Sequence, residues 1–209
     1  MNELVKKFQI LDSGSKEDKI RVLESLSQSN NPKIIRKMIS MLNDPEIRVR
    51  GEAFSSLFLN KNDISEFLIR GLNSESYNDK GFLALVLANR SDSNAIPALE
   101  LLTKDHSSMV RSCALGALGH LHSSQSSTKI RNCFTDEVLE VRKSALEAFF
   151  KINGEIFSSE VKELTKDADD ELIYLIRKFS KNINGPGGIL TLDLTHAKVV
   201  SYQSRRPAQ

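Results

Sequence analysis

The stretch Asp105-His-Ser-Ser-Met-Val110-Arg111-Ser-Cys-Ala114 decides the fold, because its pattern occurs twice more in the chain. Asp44-Pro-Glu-Ile-Arg-Val49-Arg50-Gly-Glu-Ala53 and Asp136-Glu-Val-Leu-Glu-Val141-Arg142-Lys-Ser-Ala145 also read Asp, four residues, Val-Arg, two residues, Ala. The step from Val110 to Val141 is 31 residues, and the step from Val49 to Val110 is 61, or two units. A fixed period of this length is typical of proteins built from stacked repeats.

The other repeat units are weaker copies of this pattern. In the third unit we expect Glu75 to stand for the Asp, Lys80-Gly81 for Val-Arg and Ala84 for the Ala. Asp167 takes the acidic place one unit after the last clear copy, and Ile20-Arg21 repeats the dipeptide upstream. The sequence therefore predicts six units with a period of about 31 residues.

Each unit carries two helical patterns. Between Ser108 and Leu121 the apolar residues Val110, Ala114 and Leu118 fall on one face of a helix. A pair of such helices buries its apolar face only when neighbouring pairs stack on it. We therefore expect residues 1–184 to form an all-α, right-handed α-solenoid of about six helical hairpins.

Composition and charge limit the classes of function. The chain has 209 residues, of which 40% are hydrophobic and 27% charged, as in a folded protein. Residues 1–184 hold equal numbers of basic and acidic residues, whereas nucleic-acid binders usually carry a basic excess. The longest apolar run, 82–88, is too short to span a membrane, and the N-terminus has no apolar leader. Together with only two cysteines, these features favour a cytoplasmic protein.

The fourth unit resembles a known repeat family. Asn94-Ala-Ile-Pro-Ala-Leu-Glu-Leu-Leu102 followed by Val110-Arg-Ser-Cys-Ala-Leu-Gly-Ala-Leu-Gly119 is similar to the HEAT-like repeat of phycobilisome lyases. The second and fifth units match the family pattern well, and the other three match it weakly. The resemblance covers residues 1 to about 182 and implies a solenoid fold. It does not imply one activity, because scaffolds, lyases, hydroxylases and DNA glycosylases all use such repeats.

The charged and reactive residues are better explained by structure than by catalysis. The Asp/Arg pairs of the repeat are Asp44 with Arg50, Asp105 with Arg111 and Asp136 with Arg142. We expect the Asp of each unit to cap a helix and the Arg to bridge to the Asp of an adjacent unit. The His-Glu dipeptides that serve hydroxylases of this family as iron ligands are absent from the sequence. Cys133 sits at a core position, and Cys113 has no neighbour pattern typical of a nucleophile. The sequence thus predicts no catalytic, cofactor-binding or metal-binding residue.

One surface of the second helices is the candidate partner-binding site. Taking Val49, Val110 and Val141 as facing inward, the opposite face lies on the concave side of the solenoid. A groove lined by small residues with an apolar centre suits a peptide or a helix as its ligand. The residues expected there are Glu52, Ser55, Phe82, Val86, Ser112, Gly116, Lys143 and Glu147.

The last 25 residues form a separate tail, 185–209. Gly185-Pro-Gly-Gly188 ends the last helix, and Leu190, Leu192 and Leu194 then alternate with polar residues, which is a strand pattern. Since an all-helical solenoid offers no sheet, we expect residues 189–202 to order only by pairing with a partner's sheet edge or with another copy of the chain. The alternative is a disordered basic tail.

The resulting hypothesis is non-catalytic protein–protein interaction, as a scaffold, adaptor or assembly factor. The alternatives are a nucleic-acid-binding solenoid and an accessory subunit of a chromophore lyase. The absence of Trp and the neutral body make DNA binding less favoured than protein binding.

Overall fold

The computed structural model describes residues 3–178 and 183–184, and it is built almost wholly from α-helices. In the first five units consecutive helices pack against each other as hairpins, so that odd-numbered helices are the first and even-numbered helices the second of each unit. Helices α11 and α12 follow in the same order. The twelve α-helices of the described residues are α1 (Glu3–Ser13), α2 (Lys16–Leu26), α3 (Pro32–Ser40), α4 (Ile47–Phe58), α5 (Ser65–Gly71), α6 (Tyr77–Asn89), α7 (Ile96–Leu102), α8 (Ser108–His120), α9 (Ser127–Asn132), α10 (Leu139–Lys151), α11 (Ser158–Leu164) and α12 (Asp170–Lys178). The predicted all-α solenoid is confirmed.

Side-chain caps set where several helices begin. Ser15 Oγ accepts a hydrogen bond from the backbone N–H of Asp18 at the start of α2, and Ser76 Oγ accepts one from Asp79 N–H at the start of α6. Asn31 caps α3, whose first residue, Pro32, has no N–H to satisfy. These local signals divide the chain into short helices that can stack.

The second helices lie side by side and share one continuous core. Helix α2 packs on α4, α4 on α6, α6 on α8, and α8 on α10. Helices α8 and α10 approach closely at Gly119, where an added Cβ would lie 2.7 Å from the Cα of Ala148. The core valines Val49, Val110 and Val141 are all fully buried. Units therefore stabilise one another by burying apolar surface that no single hairpin could cover.

In the third unit, the repeat positions are shifted by one residue from those that the sequence suggested. Lys80 donates to Asp105 of the next unit, as Arg111 donates to Asp136, so Lys80 holds the place of the Arg. Asp79 therefore holds the place of the core valine, and Lys80-Gly81 does not stand for Val-Arg as expected. The expectation was wrong because this unit lacks both consensus residues, which left only Ala84 to fix the alignment.

The acidic place of the third unit is also not where we expected it. In Asp44, Asp105 and Asp136, Oδ1 accepts a hydrogen bond from the backbone N–H two residues later, each 2.9 Å long. In the third unit Ser74 Oγ accepts the equivalent bond, at 3.1 Å. Ser74, and not the exposed Glu75, is thus the counterpart of the repeat's Asp.

In the sixth unit the acid is Asp169 and not Asp167. Asp169 Oδ1 accepts from the backbone N–H of Leu172 in the first turn of α12, and its Oδ2 accepts from Lys143 Nζ. Asp167 lies in a turn with φ of 54°, and this turn moves the acidic place two residues along the chain.

Two very short strands complete the described fold. Strand β1 (Ile156–Phe157) pairs in parallel with β2 (Ile183–Asn184), with Ile156 opposite Ile183. The all-α expectation for residues 1–184 did not include this pair, because two-residue strands carry no alternating pattern that a sequence could reveal. The tail 185–209, with Leu190, Leu192 and Leu194, lies outside the described residues. Within the described part of the chain, no helix combines the length and apolar character needed to cross a membrane.

Candidate protein-binding face and ionic ladder

A ladder of ion pairs joins consecutive units where the loops meet. Lys19 Nζ lies 2.8 Å from Asp44 Oδ2, and Lys80 Nζ lies 2.8 Å from Asp105 Oδ2. Each acid also accepts a hydrogen bond from the backbone N–H of the residue just before the second helix of its own unit, so each rung ties this turn to the neighbouring unit. The expectation that these acids cap the helices was wrong, because the N-cap residues are Glu46 and Ser107.

Arg111 makes the most complete rung. Its Nε and Nη2 each donate to one carboxylate oxygen of Asp136 at 2.8 Å, a bidentate pair. Its Nη1 donates to the backbone carbonyls of Asp105 and His106 in its own unit. The hydrogen bonds to Asp136 raise the pKa of Arg111. The bridge to the next unit that we expected of this Arg is therefore present at Arg111.

The other two repeat arginines behave differently. Arg50 donates to the carbonyls of Asp44 and Pro45 in its own unit, and within the described residues no carboxylate pairs with it. Arg142 donates to the carbonyl of Lys166 in the sixth unit, while its neighbour Lys143 pairs with Asp169. Although the three arginines recur regularly in the sequence, only Arg111 pairs with the Asp of the next unit in the described part of the chain.

The ladder is interrupted between the second and third units. Ser74 stands at the acidic place, and its Oγ donates to Oδ2 of Asp79 at 2.8 Å. Asp79 is only 9% exposed, and its Oδ1 has no hydrogen-bond partner within the described structure. Burial raises the pKa of the Asp79 carboxyl, although hydrogen bonds from Ser74 and Ser76 oppose the rise. This unit therefore carries its acid at a core position.

Two open cavities lie near the loops and first helices. One, of about 540 Å³, is lined by Asp105, Arg111 and Asp136, charges that the ladder already pairs. The other, of about 410 Å³, lies beside Phe67, Arg70 and Asp79 among other residues. Cys133 and His106 also line the first cavity, and the thiol of Cys133 donates to the backbone carbonyls of Thr103 and Lys129.

The exposed stripe of the second helices forms what we call the second-helix face. On each of four helices it takes four positions with the same spacing, one helical stripe that is repeated unit by unit. Every one of these residues is exposed or half-buried. The face comprises Arg48, Glu52, Ser55 and Leu59 from α4 and the residue after it, Asn78, Phe82, Leu85 and Asn89 from α6, Met109, Cys113, Gly116 and His120 from α8, and Glu140, Ser144, Glu147 and Lys151 from α10.

The centre of the second-helix face is apolar. Phe82 and Leu85 lie on α6, and Met109 and Cys113, whose sulfur atoms are 3.7 Å apart, lie on the adjacent α8 against Gly81 of α6. A Cβ added at Gly116 would have nothing within 4 Å, so the face is open above this residue. Residues 82 to 116 of the face thus give a smooth apolar floor that side chains of a ligand could contact.

The C-terminal end of the face is acidic. Lys143 Nζ lies 2.9 Å from Glu140 Oε1, 2.7 Å from Asp169 Oδ2 and 2.6 Å from Glu171 Oε2. Burial lowers the pKa of Lys143, but hydrogen bonds to the three carboxylates outweigh it and raise that pKa. The three carboxylates are close enough to hold a metal ion, but the ammonium group already occupies the space among them. The cluster is an ion-pair network with an excess of negative charge.

Several of the residues expected to bind a partner belong to the second-helix face. Glu147 is exposed, and Ser55, Phe82 and Gly116 are half-buried members of the face. Glu52 is also on the face, where its Oε1 accepts a hydrogen bond from Ser56.

The remaining expected residues lie beside the face or beneath it. Val86 is 0% exposed and offers no surface to a partner, because it follows Leu85 by one residue and points into the stack. The side chain of Lys143 is only 6% exposed and is held by the carboxylates. Half-buried Ser112 lies one residue before Cys113. Leu85, Met109 and Cys113 were missed. The corrected register of the third unit would have found Leu85, whereas Met109 and Cys113 lie in the fourth unit, whose register was right.

The thiols and imidazoles show no catalytic arrangement. Burial raises the pKa of Cys113, and burial together with Asp136 raises that of Cys133 to about 11, so both remain protonated at neutral pH. His122 Nδ1 lies 2.8 Å from the carbonyl oxygen of Lys151 at the end of α10, so it links the fourth unit to the fifth. His106 and His120 are exposed.

Known repeat proteins resemble this chain in sequence and in fold. Residues 65–149, which span α5 to α10, match the family model described as HEAT repeats. Among curated proteins, none matches the chain. The CpcE–CpcF complex of phycocyanin lyase from Nostoc sp. PCC7120 is 18% identical over 85% of this chain and 75% of that one, with a TM-score of 0.52.

Designed armadillo repeat proteins are similar as well. One that was computationally designed for modular peptide recognition is 16% identical over 87% of this chain and its own entire length, with a TM-score of 0.53. Another, solved in complex with the peptide (KR)4, is 18% identical over 88% of this chain and 100% of that one, with a TM-score of 0.51. At these identities the likeness shows the fold alone.

Proposed function

We propose that this HEAT-repeat chain is a non-catalytic binding module that holds another protein on its second-helix face. The observation that carries the proposal is the apolar centre formed by Phe82, Leu85, Met109 and the open Gly116. An apolar strip bordered by polar residues is the usual character of a surface that another protein covers.

The charged residues of the ladder and of the carboxylate cluster are engaged in ion pairs, which supports a binding role. The ion pairs at Asp44, Asp105 and Asp136 join one unit to the next, so they are needed to keep the stack together. Both thiols are held protonated, and the carboxylate cluster is filled by Lys143. Designed repeat proteins of similar fold bind peptides, which also favours a protein ligand for this chain.

Site-specific photo-crosslinking tests the proposal. A photoreactive p-benzoyl-phenylalanine is placed at Leu85 on the second-helix face, and in a control at Leu101, which is 76% exposed on a first helix. Each variant is irradiated in cells of the source organism, and the cross-linked products are identified by mass spectrometry. The Gly116→Trp variant, which fills the open floor, is combined with each probe.

We expect the probe at Leu85 to capture a defined protein that the probe at Leu101 does not capture, and Gly116→Trp to abolish the capture. Equal products from both positions, or capture unaffected by Gly116→Trp, would place the interaction elsewhere. Recovery of nucleic acid alone would favour the alternative of a nucleic-acid-binding solenoid.

A further inference from the structure

From the charge distribution of the second-helix face we infer the chemistry and the direction of its ligand. The geometry points to a partner segment whose apolar side chains lie on α6 and α8 and whose lysines or arginines follow toward α10 and α12. The inference rests on the proposed function, because it names the partner of that same face.

The apolar floor is narrow and bounded on its N-terminal side by balanced charge. In the row of α4, Arg48 and Glu52 offset one another, and Ser55 is neutral. Phe82 packs edge-on against Phe54 at 6.5 Å between ring centroids, so the aromatic edge of the floor is held in place. Nothing at this end favours a charged ligand of either sign.

The C-terminal side carries uncompensated negative charge. Glu140, Asp169 and Glu171 share the single ammonium group of Lys143. Glu147 adds a further exposed carboxylate and, within the described residues, has no ion pair. Lys151 offsets part of this charge, so around Lys143 and Glu147 four carboxylates face two ammonium groups, while Arg177 and Lys178 lie in the last turn of α12. Cationic side chains of a ligand would be attracted here and anionic ones repelled.

The dimensions suit a short peptide that crosses the helices. Neighbouring packed helices lie about 8–10 Å apart, so the path from α6 to α10 covers about 20 Å. An extended chain rises by about 3.3 Å per residue, and about six residues therefore reach from the apolar floor to Glu147. A segment of three or four apolar residues followed by two or three basic ones matches this length.

Two matched peptides test the inference. Both carry fluorescein and the same alternating leucine and alanine residues, followed in one by three lysines and in the other by three glutamates. Their affinities for the full-length protein and its variants are measured by fluorescence anisotropy at low and high salt. The variants are Glu147→Lys on the face, the matched control Glu163→Lys on exposed α11, and Gly116→Trp, with circular dichroism as a check of folding.

We expect the lysine peptide to bind at least tenfold more tightly than the glutamate peptide at low salt, and the difference to shrink as salt screens it. Glu147→Lys should weaken the lysine peptide about fivefold, which corresponds to an exposed charge reversal, while Glu163→Lys should leave it unchanged. Gly116→Trp should abolish binding of the lysine peptide.

Different failures have different meanings. Equal affinity for the two peptides, with Gly116→Trp still abolishing both, would overturn the charge preference and leave the face as a protein-binding surface. Binding of the lysine peptide that Gly116→Trp and Glu147→Lys do not change would overturn the inferred location. Binding of neither peptide would overturn the inference, whereas the proposed function would still depend on photo-crosslinking at Leu85.

Discussion

Asp79 occupies in α6 the position that the core residue Val110 occupies in α8. The carboxyl of Asp79 is buried with one oxygen unpartnered, while Val110 is fully buried among apolar side chains. The acid that should stand in the loop is replaced there by Ser74, whose hydroxyl donates to Asp79. The third unit has therefore exchanged a loop acid for a core acid, and the ladder of ion pairs has a gap at this point.

Asp79→Val is expected to stabilise the protein at neutral pH. An unsatisfied buried polar group costs about 1–3 kcal/mol, whereas an acid in the first turn of a helix contributes about 0.3–1 kcal/mol, so the first effect should win. Urea unfolding at pH 7 should show a gain on the order of 1 kcal/mol. A loss of stability would mean that the Asp79 carboxyl is satisfied by a group not described here.

The pH dependence at Asp79 should have a definite sign. Burial raises the folded-state pKa of this carboxyl, which means that its charged form opposes folding. The protein is therefore more stable at low pH, where Asp79 is protonated, and this stability is lost as pH rises through the folded-state pKa. The advantage of Asp79→Val should thus shrink when unfolding is measured near pH 4. An advantage that is the same at pH 4 and pH 7 would contradict the assignment.

Lys80→Met should have the opposite pH dependence. Burial raises the pKa of Asp105, but the hydrogen bond from Lys80 outweighs it, so the pKa of Asp105 lies below its usual value. Such a group contributes stability above its unfolded pKa of about 4, and this stability is lost as pH falls through the folded pKa. Lys80→Met should therefore be clearly destabilised at pH 7 and much less so at pH 3. Equal losses at both pH values would show that Lys80 acts through packing.

Removal of Arg111 should be one of the more damaging substitutions in the ladder. Arg111→Met leaves Asp136 unpaired at a side-chain exposure of only 11%, and the expected loss is about 2–4 kcal/mol. The control Arg21→Met removes a pair in which the arginine is 75% exposed, and should change stability by less than about 0.5 kcal/mol. Thermal unfolding of both variants compares them directly.

Two glycines of α8 should respond in opposite directions to alanine. Gly116→Ala adds a Cβ in open space and removes a poor helix former, so a gain of up to about 1 kcal/mol is expected. Gly119→Ala would bring a Cβ to 2.7 Å from the Cα of Ala148 and should force α8 and α10 apart. Melting temperatures that shift in the same direction would contradict the close packing of these helices.

Removal of the tail tests the hypothesis made for residues 189–202. A chain that ends at Asn184 is expected to keep its helical circular dichroism but to lose a partner or its self-association. Size-exclusion chromatography and binding assays compare it with the full chain. Identical oligomeric state and identical affinity would show that Leu190, Leu192 and Leu194 have no such role.

The fold could be predicted because the repeat pattern is redundant: Asp44, Asp105 and Asp136 each mark the start of a second helix. The register of the third unit could not, since Ser74 and Asp79 exchange roles and a three-dimensional contact is needed to recognise the exchange. The same shift of one residue moved the expected face from Leu85 to Val86. The short strand at Ile156 pairs with a distant segment at Ile183, and no local sequence pattern indicates it.

The central claim is that α6 and α8 together form the binding surface. Hydrogen–deuterium exchange of the protein, alone and in the complex captured through Leu85, tests it most directly. Residues at the exposed side of α6 and α8 should exchange more slowly in the complex, while α5 and α7 should exchange at unchanged rates. Slower exchange confined to the first helices, or no change at the second-helix face, would contradict the account.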